Sequence, residues 1–446
     1  MKQNLVILAD DLSGAADCAV PFARSGVPAE VFLQPELVQE TEGHVVSVDL
    51  NTRELTPDEA IQATSRALTL IPADDGTVWY RKIDSILRGN IGPDVLATLR
   101  GIGDRRIIFC APAFPDTGRT TVNGTVFVNG VPLEKSGIRH RWPKSLTQLF
   151  AEVGLQTRLV PSEVVRSGST NLVKHLKNTS EVTVALLDAE TNDDLSVIAQ
   201  AGLQIRQEII FVGSAGLAHQ IAALWRRETN GRDELPLVRA EVPDSFTRPT
   251  PGPAEARPYR TDKPVLIVIG SKSPVSRTQF EQLSNSGDVD VLQVKISALQ
   301  SGGDSAIVAA VSRALVNGRD LVITTELPDS VNDGGTCGAV AREGGREAHV
   351  IIGSQEGAAL MRILGTTLRP FLHKFSSLIL TGGETARGVL TPSGIGRLRM
   401  LDEIEPGVPL CLSLGNPEIP IIMKAGAFGT PSTLLHALHF LRSHKE

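Results

Sequence analysis

Aromatic residues make up only 4% of the 446-residue chain, too few rings to stack along single-stranded nucleic acid. Positive charge is not in excess either. The 44 Lys and Arg against 50 Asp and Glu give a net charge of −6, which argues against nucleic acid or an anionic membrane as the main partner. Cys18, Cys110, Cys337 and Cys411 are scattered, with no C-x-x-C pair. They offer neither zinc spacing nor a disulfide framework, so reduced thiols in a cytoplasmic protein are expected. The first apolar run, Leu5-Val6-Ile7-Leu8, is too short for a signal-peptide core or a bilayer span, and no later run does better. Two nucleotide signatures are missing as well. There is no G-x-x-x-x-G-K-[ST], because Lys272 follows Ser271 rather than glycine, and no G-x-G-x-x-G after a strand.

What is present points to an α/β enzyme. The 41 glycines and 41% hydrophobic content suit strands that end in tight turns, and the length predicts two or three domains. Buried strands are expected at 5–9, 29–33, 45–50, 77–80, 106–111, 183–189 and 209–212, and again at 265–269, 289–294, 321–325, 377–380 and 419–423. Asn123-Gly124 and Asn129-Gly130, beside β-branched residues, predict hairpin turns. Prolines at 243, 249, 251, 253, 258 and 264 punctuate a stretch without apolar periodicity, the best linker in the chain. The expected layout is two α/β domains with mostly parallel sheets, over 1–242 and 264–446, joined by a proline-rich linker at 243–263, with the active site in the cleft between them.

Polar residues collect just past the strands, where open α/β sheets bind ligands. Asp10-Asp11 follows the first strand; one of the pair is expected to cap the next helix while the other faces ligand. Arg53 follows the third and is a plausible carboxylate binder. Lys82, Asp84, Ser85, Arg88 and Asn90 share one short loop with Gly89, a set suited to a small polyhydroxy acid. In the second half, Gly270-Ser271, Gly382-Gly383-Glu384-Thr385 and Lys424-Ala425-Gly426 end three strands; such turns let the main chain approach phosphate oxygens. Glu384 is a candidate Mg²⁺ ligand. The Gly213-Ser214 turn reads equally as an anion cradle or as a close-packed turn. Arg139, His140, Arg141 and Lys144 read as a solvated rim, and His436 with His439 lacks a third metal ligand.

Ala9-Asp10-Asp11-Leu12-Ser13-Gly14-Ala15-Ala16-Asp17, the Lys82–Asn90 segment, and Pro112-Ala113-Phe114-Pro115 with Gly118-Arg119-Thr120-Thr121 resemble the successive signatures of the four-carbon acid sugar kinases. The resemblance runs over almost the whole chain. Ser13 and Ile86 stand where threonines are usual, Glu384 where aspartate is common, and Ala425 and Ala427 where serine and glycine are common. The family implies ATP-dependent phosphorylation of the terminal hydroxyl of a tetronate, D-threonate first, with D-erythronate or 3-oxo-tetronate as alternatives. It implies that Asp11, Arg53, Lys82, Ile83, Asp84, Ser85 and Arg88 meet the acid. Ser271, Gly382, Gly383, Glu384, Thr385 and Gly426 would meet ATP, with Mg²⁺ at Glu384. Asp84, or else Asp11, is the expected base, and a homodimer is compatible. An NAD-linked dehydrogenase and a non-catalytic sugar-acid-binding protein are the rival readings.

Overall fold

The computed structural model describes residues 4–40, 45–103, 105–137, 145–177, 183–229, 263–271, 273–294, 304–325, 354–426 and 428–443. Nearly all of the expected linker and the rim from Arg139 to Lys144 lie outside these residues.

The first lobe contributes β1 (Leu5–Ala9), β2 (Ala29–Phe32), β3 (Val45–Asp49), β4 (Val78–Lys82), β5 (Ile107–Ala111), β6 (Arg119–Val122), β7 (Thr125–Val128), β8 (Val131–Pro132), β9 (Thr157–Val160), β10 (Val184–Leu187) and β11 (Ile209–Gly213). The second contributes β12 (Val265–Ile269), β13 (Val289–Val294), β14 (Asp320–Thr325), β15 (Ser377–Thr381), β16 (Arg397–Glu403), β17 (Pro409–Ser413) and β18 (Pro420–Lys424). β1, β3, β4, β11, β12, β15 and β18 are buried along their whole length, as expected of parallel strands covered on both faces. Both Asn-Gly turns form as read, with positive φ at Asn123, Gly124, Asn129 and Gly130 closing the small β6-β7-β8 sheet.

Each lobe has its largely parallel block, but the blocks are not separate sheets. Fifteen strands run in the order β13-β14-β12-β15-β18-β17-β16-β2-β3-β1-β4-β11-β5-β10-β9. The join is antiparallel at β18–β17, β17–β16 and β16–β2. Three reversals make the parallel strands of one lobe run opposite to those of the other, which on a flat sheet would put their carboxyl ends on opposite edges. The sheet is not flat. Six neighbour steps from β1 to β15, at roughly 20–25° of twist each, turn one block by about 120–150° against the other and bring the two carboxyl edges round to face.

Side chains pin the seam. Arg397 donates to Glu30 from Nε at 3.0 Å and Nη2 at 2.7 Å, and Leu33 N donates to Gly396 O at 2.9 Å. Arg24 of the first helix (Leu12–Arg24) reaches Glu403 at 3.1 Å.

Candidate functional site

In the first lobe the loops after β1, β3 and β4 meet, because these strands are neighbours whose ends align: Ala9 pairs with both Asp49 and Lys82. Asp11 caps the helix by accepting from Gly14 N at 3.0 Å. Arg53 lies across both aspartates, donating to Asp10 Oδ2 at 2.7 Å and Oδ1 at 2.9 Å, and to Asp11 Oδ2 at 2.8 Å and Oδ1 at 2.9 Å. Lys82 Nζ, buried, stands 3.8 Å from Asp10 and 4.0 Å from Asp11. Gly14 is required here, since a Cβ would sit 2.4 Å from that ammonium.

The Ile83–Asn90 loop completes the cluster. Ile83 is buried and its amide donates to Gly213 O at 2.8 Å, so it shapes the floor. Asp84 accepts from Ile86 N at 3.0 Å and from Arg88 Nη2 at 2.6 Å, with Arg53 3.7 Å away. Ser85 is half-buried and Arg88 half-exposed. Asn90 donates to Thr52 O at 2.7 Å and Leu55 O at 2.8 Å, stitching this loop to the one carrying Arg53. Beneath, Arg81 pairs with Asp94, which also accepts from Thr52 at 2.9 Å and Thr64 at 3.1 Å.

Charge keeps this cluster ionised. Burial opposes the charge on Asp10, but Arg53 and Lys82 outweigh it and hold its carboxyl below the usual value. Burial likewise opposes Asp84, where Arg88 and Arg53 prevail and hold it well below the carboxylate range. Lys82 loses to burial and gains more from Asp10 and Asp11, so its pKa rises.

In the second lobe the turns after the neighbouring strands β12, β15 and β18 lie together. Gly382, at φ 97°, opens the helix Gly383–Leu390, which has no side-chain cap. The amides of its first turn therefore have no acceptor of their own and point at whatever anion approaches. Gly426 packs on Ser271 so closely that a Cβ would meet the Ser271 hydroxyl at 2.2 Å. Buried Lys424 spends its ammonium on carbonyls, donating to Ala425 O at 2.9 Å, Gly426 O at 3.2 Å and Phe428 O at 3.1 Å. Ser273 and Ser276 donate to Gly426 O as well, at 2.5 and 2.9 Å. Burial pulls the Lys424 pKa down to about 8, with Glu405 opposing.

The two clusters meet at Gly383. A Cβ there would lie 3.1 Å from Ser13 Oγ and 3.5 Å from Asp11 Oδ2. One turn on, Arg387 Nη1 reaches Asp49 Oδ2 at 2.5 Å and Leu33 O at 3.0 Å. Glu384 is exposed as a residue, yet crowding of its carboxyl by protein atoms raises its pKa; Asp11 and Glu54 push the same way and Arg387 opposes. That accumulation of negative charge suits a divalent cation sharing a phosphate. No ready-made group of three metal-ligating side chains exists among the described residues.

The structure thus brings Asp11, Arg53, Lys82, Ile83, Asp84, Ser85 and Arg88 into one cluster, and Ser271, Gly382, Gly383, Glu384, Thr385 and Gly426 into a second facing it. Two sequence expectations change in detail. Arg53 is committed to Asp10 and Asp11 rather than standing open for a carboxylate, and Asp11 both caps the helix and faces the second lobe, leaving buried Asp10 as support. Gly213-Ser214 is a packing turn: Ser214 is buried and donates to Ala113 O at 2.8 Å, and a Cβ at Gly216 would lie 2.6 Å from that same carbonyl. His436 pairs with Glu405 at 2.9 Å. The sequence reading placed Lys424 in the third turn without giving it a role, and missed the Asp49–Arg387 link. A lysine closing an apolar strand was the available signal for the first; nothing local marks the second.

Residues 5–221 match a family model described as a sugar-binding N-terminal domain, and residues 266–434 one described as a nucleotide-binding C-terminal domain. A sugar-binding half facing a nucleotide-binding half defines the class of small-molecule sugar kinases. The chain is 34% identical to a D-threonate kinase of Cupriavidus necator over 97% of its own length and 96% of the relative's. It is 28% identical to a D-threonate kinase of Salmonella typhimurium over 98% of both, and 25% identical to a D-erythronate kinase of Heliobacterium modesticaldum over 98% and 97%. A solved Haemophilus influenzae protein shares the fold at TM-score 0.67 and 22% identity, covering 98% of this chain and all of that one. The protein belongs to the four-carbon acid sugar kinase family.

Proposed function

We propose that this enzyme transfers the terminal phosphoryl group of ATP to the terminal hydroxyl of a four-carbon sugar acid, D-threonate before D-erythronate or 3-oxo-tetronate. The observation that carries the reading is the approach of Gly383, at the uncapped helix start, to Asp11 and Ser13. A phosphate held by the amides of that helix start lies beside an acceptor hydroxyl held by Asp11.

The first-lobe cluster holds the acid; Lys82 and Arg88 supply positive charge, and Asp11 and Asp84 accept from hydroxyls. Asp84, kept ionised, takes the proton as the hydroxyl attacks. Its low basicity suits a loose phosphoryl-transfer transition state, in which positioning and charge neutralisation matter more than base strength. On the second lobe, the Gly382–Thr385 turn, Ser271 and Gly426 form the phosphate side, with carbonyls drawn inward by Lys424. Glu384 is the carboxylate best placed for Mg²⁺, which when bound supplies charge neutralisation at the phosphates. The sugar-binding lobe is taken as residues 1–242 and the nucleotide-binding lobe as 264–446, joined by the proline-rich 243–263.

The test is ADP release from ATP over a panel of D-threonate, D-erythronate and 3-oxo-tetronate, with phosphorus NMR of the product. A C4 phosphate ester from one of these acids is expected; ADP release that ignores all three removes the reading.

A further inference from the structure

The question of which cation takes the carboxylate of the acid deepens the kinase reading and rests on it. Arg53 is committed to Asp10 and Asp11, Arg88 to Asp84, and Lys82 stands beside Asp10 and Asp11. Arg119 is the fourth cation on this side of the sheet. It opens β6 directly beyond the carboxyl end of β5, where its backbone bridges to Phe114, with Phe114 N donating to Arg119 O at 2.8 Å. β5 lies two strands from β4, so this turn stands roughly 10 Å along the sheet edge from the loop carrying Asp84.

The Arg119 guanidinium has one partner, the carbonyl of Thr117, reached from Nη1. Its Nε is buried with no hydrogen-bond partner, and no carboxylate among the described residues pairs with it. Burial lowers its pKa, Asp84 opposes and Arg88 adds to the lowering, so all three groups share one field. Arg53, Lys82 and Arg88 each have a carboxylate of Asp10, Asp11 or Asp84 within 4.0 Å, and Arg119 has none among the described residues. Asp17, whose carboxyl burial pushes up to about 7 against the pull of Lys82, interacts with Lys82 and Arg53 and forms no ion pair with Arg119. A half-buried arginine with an unmet donor and no acid of its own is a site built for a carboxylate that arrives from outside.

We propose that Arg119 binds the carboxylate of the sugar acid, and that Arg53 instead holds Asp10 and Asp11 in place. This fixes the direction of the substrate. The carboxylate lies toward β5 and the hairpin, the chain runs past Ser85 and Arg88, and the terminal hydroxyl lies between Asp84 and Asp11, facing Gly383. An acid bound that way offers its far hydroxyl to the nucleotide.

The experiment compares wild type, R119M and R119K for D-threonate and for threitol, the same carbon chain without a carboxylate, by steady-state kinetics and by calorimetric binding without nucleotide. R119M is expected to weaken D-threonate by about 10- to 100-fold, the loss of a charge-assisted hydrogen bond. Its KM for ATP stays within about twofold, and wild type and R119M treat threitol alike, as for a contact made only to the missing group. The preference for acid over alcohol collapses accordingly. R119K, which keeps the charge, recovers part of the loss and guards against a folding defect. Unchanged D-threonate affinity in R119M, or equal losses for acid and alcohol, overturns the assignment while leaving the kinase reading intact. A wild-type enzyme that phosphorylates no tetronate overturns both.

Discussion

Arg387 of the nucleotide-binding half and Asp49 of the sugar-binding half form an ion pair at 2.5 Å, and the same guanidinium takes Leu33 O at 3.0 Å. Asp49 is fully buried, and burial raises its pKa to about 6 even with Arg387 opposing. Its native charge is therefore sustained by a residue of the other lobe. The pair stands one helical turn from Gly383, so it sets how the two clusters face.

Arg387→Met leaves the Asp49 carboxylate buried and unpaired, a loss of about 3 kcal/mol at neutral pH, the lower end for breaking a buried pair because Arg387 keeps some exposure. The pH dependence has a definite sign. A carboxyl whose native pKa exceeds its unfolded value binds more protons when folded, so stability falls as pH rises through the window from about 4 to 6 and levels off above it. Without Arg387 that pKa climbs further and the window extends upward. Urea unfolding of wild type and variant at pH 8 and pH 5.5 is expected to show the gap narrowing in acid; a gap independent of pH contradicts the assignment.

The loop after β18 is shaped by Lys424, whose three bonds run to the carbonyls of residues 425, 426 and 428. Lys424→Met removes all three and leaves those carbonyls only their neutral donors, Phe428 N on Ala425 O, Ser273 and Ser276 on Gly426 O, and Gln279 Nε2 on Phe428 O. The KM for ATP is expected to rise by tenfold or more while the KM for the acid stays within about twofold, since the acid cluster lies on the other lobe. Gly426→Ala reaches the same result by another route, because its Cβ collides with Ser271 at 2.2 Å. Equal changes in both KM values point instead to a global defect.

Much of this was readable before the fold. Parallel strands announce themselves as apolar runs, and the polar residues after β1, β3 and β4 converge because strand neighbours align their ends. Pairings across the chain were not readable. Glu30 sits inside a strand that looks wholly internal, and only the edge-to-edge meeting of β2 with β16 explains its charge, through Arg397. Arg53 stands where the strand end put it, but its bonds to Asp10 and Asp11 were not readable, since nothing in its neighbours tells that the two aspartates fold back onto it. Gly213-Ser214 failed as an anion cradle for a similar reason, since the crowding by Ala113 that closes it comes from another loop.

Asp84 is bound by Arg88 at 2.6 Å and caps its own loop through Ile86 N at 3.0 Å. Asp84→Asn keeps an acceptor for that amide and removes the charge. Turnover is expected to drop by about 10²–10⁴-fold, the range for losing a general base, with ATP binding nearly intact. Because Arg88 and Arg53 overcome burial and hold the wild-type carboxyl well below its ordinary value, it stays ionised throughout pH 5–9. The fold-loss is thus constant across that range. A loss that vanishes toward pH 5 assigns the acid limb to Asp84 and contradicts its depressed pKa.

Gly383 is where the nucleotide-side helix start approaches Ser13 and Asp11, and its backbone does not need glycine, whereas its neighbour Gly382 at φ 97° does. Gly383→Ala adds one methyl 3.1 Å from Ser13 Oγ and 3.5 Å from Asp11 Oδ2, a contact that fits with a shift of a few tenths of an ångström. The fold is expected to tolerate it, with Tm within about 2 °C, because only the ends of the Ser13 and Asp11 side chains must give way. That methyl nevertheless occupies the gap where the phosphoryl group passes to the acceptor, and a misplacement on the order of 1 Å there costs about 10²-fold in kcat. Gly382→Ala behaves differently, since the left-handed backbone makes it lose stability as well. Thermal melts and kcat for the two variants separate the cases: full turnover in Gly383→Ala means the phosphoryl group does not cross between Gly383 and Asp11.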